Sequence, residues 1–231
     1  MDFHVIHFES VDSTSSYARR NAGSLPLPCI ITASHQTNGR GRQGKSFFSP
    51  RDTGLYMTLL LKANPDADLI TPAAAVAVCK AIEAASHIKP SIKWVNDIYV
   101  EGKKVCGILS ECFCVENTAY LAVGIGINLT TEDFPPELTQ AASLGIECPK
   151  NELAISIAKG ITDYIDLPDN EYVLQEYKKR LFVLGKKVYY EKNSVSFNAT
   201  VEGINDFCNL IVRNDDGSSD ILSSGEISIK L

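Results

Sequence analysis

Between Gly39 and Lys45 the chain reads Gly-Arg-Gly-Arg-Gln-Gly-Lys, glycines interleaved with fixed positive charges and no acid nearby. Glycine permits positive φ and close backbone approach, and exposed amides and guanidinium forks both donate to anionic oxygens. The composition therefore suits a loop that closes over a phosphorylated ligand. The spacing is neither the G-x-x-x-x-G-K-[ST] phosphate loop nor the G-x-G-x-x-G fingerprint opening a helix. Phe47, Phe48, Ser49 and Pro50 follow, and Pro50 argues against a helix there. Read alone, the loop equally fits a surface segment that binds nucleic acid nonspecifically.

Three further stretches set polar groups on apolar elements. Lys93-Trp94-Val95-Asn96-Asp97 carries charge in a segment that otherwise reads as a buried strand, which is costly unless the charge is paired or serves a ligand. A structural salt bridge between Lys93 and Asp97 is the plainer alternative. Lys103 and Lys104 precede Val105-Cys106-Gly107-Ile108-Leu109 and also fit a solvated turn. Gly124-Ile125-Gly126-Ile127-Asn128 leaves a flat face that a ligand can lie against, with Asn128 as donor and acceptor at its end, although such glycines also relieve a crowded core.

Composition narrows the classes. A chain of 231 residues with 45% hydrophobic content can bury a full core, and its net charge of −6 argues against a general nucleic-acid binder. Positive charge is local, since Arg40, Arg42, Lys45 and Arg51 stand between His35 and Arg51 without an acid. The seven cysteines include no CxxC, and the closest spacing, Cys112-x-Cys114, is read as pointing to opposite sides of one strand, so metal and disulfide duty are not expected. The odd count, with no signal segment and no spanning apolar run, indicates a reducing cytosol.

The elements that must position these groups follow from periodicity. Strands are expected at 3–8, 29–34, 55–61, 92–100, 104–115 and 118–129, the last three forming an antiparallel meander through Glu101-Gly102-Lys103 and Glu116-Asn117. Ser13 or Thr14 can cap a short helix through Arg20. Longer helices are expected over 66–87, 151–165 and 171–184. From Gly185 the texture changes to short strands and tight turns (187–191, 195–204, 209–213, 220–222, 226–231), which predicts a small all-β module after a boundary near 184/185.

Taken in order, Ser13-Thr14-Ser15, Gln36 with GRGRQGK, KWVND (93–97), KVCGILSE (104–111), GIGIN (124–128) and a small β module ending Gly225-Glu226-Ile227-Ser228-Ile229-Lys230 resemble a biotin–protein ligase over essentially the whole chain. The resemblance implies an α+β fold: a mixed, mostly antiparallel sheet flanked by helices, of the class II aminoacyl-tRNA-synthetase-like kind. It further implies a catalytic domain at 1–184 and an SH3-like β-barrel at 185–231. It implies activation of biotin by ATP as biotinyl-5′-AMP with Mg²⁺, then transfer to a lysine of a biotin carboxyl carrier protein, that of acetyl-CoA carboxylase.

By motif position the resemblance implies biotin contacts from Ser13, Thr14, Ser15, Gln36, Gly39, Arg40, Lys104 and Gly107. Adenylate contacts would come from Arg40, Arg42, Lys45, Phe47, Lys93, Asn96, Asn128 and Lys230. Lys93, Arg42 and Lys104 would carry the catalytic charge, Phe47 would be an aromatic lid against adenine, and Asp97 would hold Mg²⁺ or orient Lys93. No covalent nucleophile is needed, because positioning two bound reactants supplies on the order of 7–11 kcal/mol.

Three positions depart from the pattern: Gln43 and Lys45 stand where arginine is common, and Val95 where proline is frequent. Lysine cannot reproduce a bidentate fork. The chain starts at the catalytic strand, so neither a helix-turn-helix domain nor a repressor role is expected, and no DNA or membrane partner. It would be a monomer or a homodimer. A lipoyl or octanoyl ligase or transferase of the same fold is the nearest alternative, and an Arg/Gly-loop nucleic-acid-binding protein a distant one.

Overall fold

Why the second and third strands bury both faces is visible in their composition: Cys29–Ala33 and Gly54–Lys62 are apolar almost throughout and lie between helices. The computed structural model describes residues 2–63, 69–192, 194–223 and 227–229. Lys230 and the first residues of the expected 66–87 helix lie outside them.

Strands β1 (His4–Phe8), β2 (Cys29–Ala33), β3 (Gly54–Lys62), β4 (Ser91–Lys93), β5 (Asp97–Val100), β6 (Lys103–Val115) and β7 (Thr118–Asn128) form one sheet in the order β1-β2-β3-β7-β6-β5-β4. Only β1 and β2 pair in parallel, so the sheet is mixed and mostly antiparallel, as expected. Helix α1 (Thr14–Asn21) covers one face, packing Ala18 against Ile31, Leu60 and Ala122. Helices α2 (Ile70–Ser86) and α3 (Lys150–Ile165) cover the other, over Leu55, Met57, Leu59 and the odd residues of β7. Alternation along β3 and β7 sorts the two cores without further information.

Helix α4 (Glu171–Arg180) stops short of the expected 184, because Leu181 turns extended and bridges Ile92. No helix among the described residues is long and apolar enough to cross a membrane.

The segment expected as one strand over 92–100 is two. It breaks at Trp94-Val95-Asn96, and β4 folds back on β5 so that Lys93 opposes Asp97. The Trp94–Val95 peptide is cis. Cys112 and Cys114 are also corrected: both are exposed and share a face, with Phe113 buried between them, because residues two apart in a strand point the same way. All seven thiols are free.

Strands β8 (Lys187–Lys192), β9 (Val195–Ile204), β10 (Leu210–Asn214), β11 (Ser219–Leu222) and β12 (Ile227–Ile229) make a five-stranded antiparallel sheet, ordered β11-β10-β9-β8-β12, consistent with an SH3-like module. It packs against the β4–β5 hairpin, where the buried Trp94 indole donates to the Cys208 carbonyl at 2.8 Å. From the other side, the Tyr177 hydroxyl donates to the Val95 carbonyl at 3.0 Å.

Candidate active site

Register across the sheet builds a floor. Lys93 opposes Asp97, Asp97 opposes Gly107, and Gly107 opposes Gly126, so four residues from four strands form one row on the α1 face. The two glycines leave room that the Phe47 ring fills: a Cβ on Gly126 would lie 2.4 Å from that ring and one on Gly107 3.3 Å. Phe47 therefore lies across the glycine floor, next to Tyr56. A cavity of about 300 Å³ opens above this row.

One end of the cavity is neutral. Ser13 caps α1 by accepting from the Ser16 amide, which presents Thr14 and Ser15 at the helix start. The Thr14 amide and hydroxyl donate to Gln36 Oε1 at 2.9 and 3.2 Å. Thr58 donates to Thr14 at 2.8 Å and bonds Ser15 at 3.0 Å. Gln36 Nε2 donates to the Ser49 hydroxyl at 2.8 Å, which donates to the Phe47 carbonyl at 3.0 Å. Because each hydroxyl has one proton, Thr58 must accept from Ser15, leaving Ser15 with acceptor capacity. Gly124 lies under Ser15, where a Cβ would come within 2.5 Å of its hydroxyl.

The other end is cationic. Arg40, Arg42, Lys45, Lys93 and Lys104 line it against one lining carboxylate, Asp97, among the described residues. Arg42 donates to Asn96 Oδ1 at 2.9 Å, and Asn96 donates to the Ile108 carbonyl at 2.9 Å and to Asp97 at 3.2 Å. Lys104 pairs with Asp97 at 2.7 Å, and Lys93 sits 5.8 Å from the centre of the Tyr99 ring. Burial, with Asp97 adding to it, pushes the Tyr99 hydroxyl up to about 12, so the ring beside Lys93 is neutral. Burial likewise holds the Cys106 thiol well above its ordinary range, which leaves it inert as a nucleophile.

Of the residues singled out in the sequence, Ser13, Thr14, Ser15, Gln36, Arg40, Arg42, Lys45, Phe47, Lys93, Asn96, Asp97, Lys104 and Gly107 all line this cavity. Three placements differ. Gly39 is outside the lining and packs closely behind Gln36: a Cβ there would fall 2.3 Å from the Phe47 carbonyl oxygen and 2.7 Å from Ser49 Oγ. Asn128 is buried at the far end of β7, and its amide donates to the Ala142 carbonyl at 3.0 Å, a staple for residues 138–144 that does not reach the cavity wall. Arg40 lines the cavity, but its guanidinium closes on Glu111 through two bonds of 2.7 Å each. Sequence reasoning missed Glu111, Ser49, Thr58, and Leu138, Ile227 and Ser228 on the walls. Glu111 closed the KVCGILSE motif, and its charge on a strand was the available signal.

A model of the biotin/lipoate A/B protein ligase family matches residues 7–128, more than half the chain, and a model of the biotin protein ligase C-terminal domain matches 183–230. The chain is 38% identical over 152 residues to the bifunctional ligase/repressor BirA of Bacillus spizizenii, covering 62% of this chain and 46% of that protein. It thus spans about half the length of the first relatives it matches. Similarity to a biotin–[acetyl-CoA-carboxylase] ligase of Mycobacterium tuberculosis is 25% over 187 residues, 75% of this chain and 68% of that one. The fold resembles the biotin protein ligase of Aquifex aeolicus solved with biotin and ATP, with a TM-score of 0.85, 25% identity and 98% of both chains covered.

Proposed function

The chain belongs to the biotin/lipoate A/B protein ligase family, and from that premise we propose that it activates biotin with ATP as biotinyl-5′-AMP and passes the biotinyl group to a lysine of a biotin carrier protein. The observation that carries this is the two-ended cavity: Ser13, Thr14, Ser15 and Gln36 at a neutral end and Arg42, Lys45, Lys93 and Lys104 at a cationic one, joined by a glycine floor. A ligand that is neutral at one end and polyanionic at the other matches it. The match of the C-terminal module favours biotin over lipoate.

In the first step a biotin carboxylate oxygen attacks the α-phosphorus of ATP and pyrophosphate leaves. Two anions must meet, and the lysine and arginine charges offset their repulsion. Lys104, held by Asp97 at 2.7 Å, is pre-aimed at the row where the carboxylate would lie. Arg42, held by Asn96, faces the phosphate side. In the second step a carrier lysine amine attacks the acyl carbon, AMP leaves with the bonding electrons, and the amine proton is lost.

Mg²⁺ usually binds through one or two carboxylates and substrate phosphates. Among the described residues the lining offers Asp97 as its carboxylate, so phosphate oxygens would supply most ligands, and the ion would further neutralise the triphosphate. The free thiols fit a reducing cytosol. The carrier of acetyl-CoA carboxylase is the proposed acceptor, with residues 1–184 as the catalytic domain.

The test is incubation of the purified chain with ATP, Mg²⁺, a carrier domain and either biotin or lipoate, followed by pyrophosphate detection and mass spectrometry of the carrier. Biotin-dependent pyrophosphate and a biotinylated carrier are expected. Modification by lipoate alone would shift the assignment to the sister activity, and salt-sensitive RNA binding without pyrophosphate would sink both.

A further inference from the structure

The Gly39–Phe47 loop is a small hairpin in its own right. Phe47 N donates to the Gly39 carbonyl at 2.9 Å, Arg40 bridges Ser46, Gly41 N donates to the Lys45 carbonyl at 2.7 Å, and Lys45 N to the Arg42 carbonyl at 3.0 Å. It reverses at Gln43 and Gly44, with φ of 54° and 76°. A hairpin tied this way moves as a unit, so whatever fixes Arg40 also places Arg42 and Lys45.

What fixes Arg40 is Glu111, a residue 71 positions away on β6. Glu111 stands on the same face as Gly107 and Leu109, and opposes Ala122 beside the α1 core. Both carboxylate oxygens take one Nη each at 2.7 Å, and both side chains are largely shielded, at 34% and 21% exposure. Arg19 backs the carboxylate at 3.9 Å and lies over the Phe113 ring at 5.2 Å, which holds Glu111 from behind. Both Nη atoms of Arg40 are spent on Glu111, so a ligand anion would have to displace that carboxylate to take them, whereas the Lys104 ammonium carries three donors and gives Asp97 one contact at 2.7 Å.

We infer that Glu111 is the positioning residue of the Gly/Arg loop: it clasps Arg40 so that the hairpin is fixed over the cavity, and the ligand anions fall to Arg42, Lys45, Lys93 and Lys104. The consequence that this clasp sets how long the activated acid stays bound rests on the adenylate reading above. The structural half does not.

The experiment is a double-mutant cycle of Glu111→Gln, Arg40→Gln and the pair, read by amide hydrogen exchange of residues 39–47 with residues 73–82 of α2 as the internal check on folding. Each single variant is expected to exchange about tenfold faster in the loop and at the wild-type rate in α2, and the double variant no faster than either single. With biotin and ATP, both singles are expected to release free biotinyl-AMP about tenfold faster, while the calorimetric affinity of Glu111→Gln for biotin alone is unchanged. Wild-type loop exchange in Glu111→Gln would overturn the clasp, as would single effects that multiply in the double, because independent action is what an Arg40 bound to ligand would give. If no variant and no wild type makes adenylate while the loop exchange follows the cycle, the clasp stands and the ligase reading fails.

Discussion

Arg42 donates to Asn96 across 2.9 Å, joining the glycine loop to the turn between β4 and β5. Asn96 spends its own amide on the Ile108 carbonyl and on Asp97, so one side chain ties the loop, the hairpin and β6 together. Asn96→Ala removes all three bonds. Misplacement of reacting groups by about 1 Å costs on the order of 100-fold. Biotin-dependent ATP–pyrophosphate exchange should fall by roughly 10- to 100-fold, and a wild-type rate would show that Arg42 is held by something else.

Lys104 and Asp97 form the ion pair at the edge of the floor. Lys104→Ala should slow adenylate formation by roughly 100- to 1000-fold, the cost of losing one preorganised charge in such a site. Its effect on biotin affinity should be much smaller, since the neutral end holds the head of the ligand. Lys93→Ala should behave alike. Single-turnover kinetics separates the two quantities, and an equal loss in both would assign these lysines to binding.

Gly126→Ala puts a methyl group 2.4 Å from the Phe47 ring. The ring must leave the floor, which narrows the cavity, so calorimetry should show weaker biotin binding with the melting temperature little changed. Gly124→Ala should act through Ser15, whose hydroxyl a Cβ there would approach to 2.5 Å. Undiminished affinity in both variants would mean that the ligand does not lie on this face.

Trp94→Phe deletes the donor to the buried Cys208 carbonyl. An unsatisfied buried acceptor costs about 1–3 kcal/mol, and for a chain of this size each kcal/mol lowers the melting temperature by roughly 2–4 °C. Calorimetric melting checks this. No loss would mean that the module docks without that bond.

Glu176 links α4 to itself and to α2. The Lys179 ammonium, with Arg180, holds its carboxyl at about 2, below the ordinary 4.5. A depressed carboxylate pKa contributes stability above about pH 4.5 that is lost as pH falls toward about 2. Glu176→Gln should therefore unfold at lower denaturant than wild type at pH 7, and the gap should close between pH 4.5 and 2. A gap independent of pH would assign the loss to packing.

Much of this was written locally in the chain. The charge and glycine of GRGRQGK, the apolar runs of β3 and β7, the Ser13 cap and the change of texture at Gly185 are properties of neighbouring residues. The motif order was enough to gather Gln36, Lys93 and Lys104 into one hypothesis. Tertiary structure alone decided what depends on partners far apart in sequence. Arg40 meets Glu111 across 71 positions and Trp94 meets Cys208 across 114, pairings that no period encodes. Which group takes the Asn128 amide depended on the loop that covers it, and the break at Trp94–Asn96 on the elements that pack against both sides of that turn. Local chemistry set which groups were available; long-range packing set which of them still face the cavity.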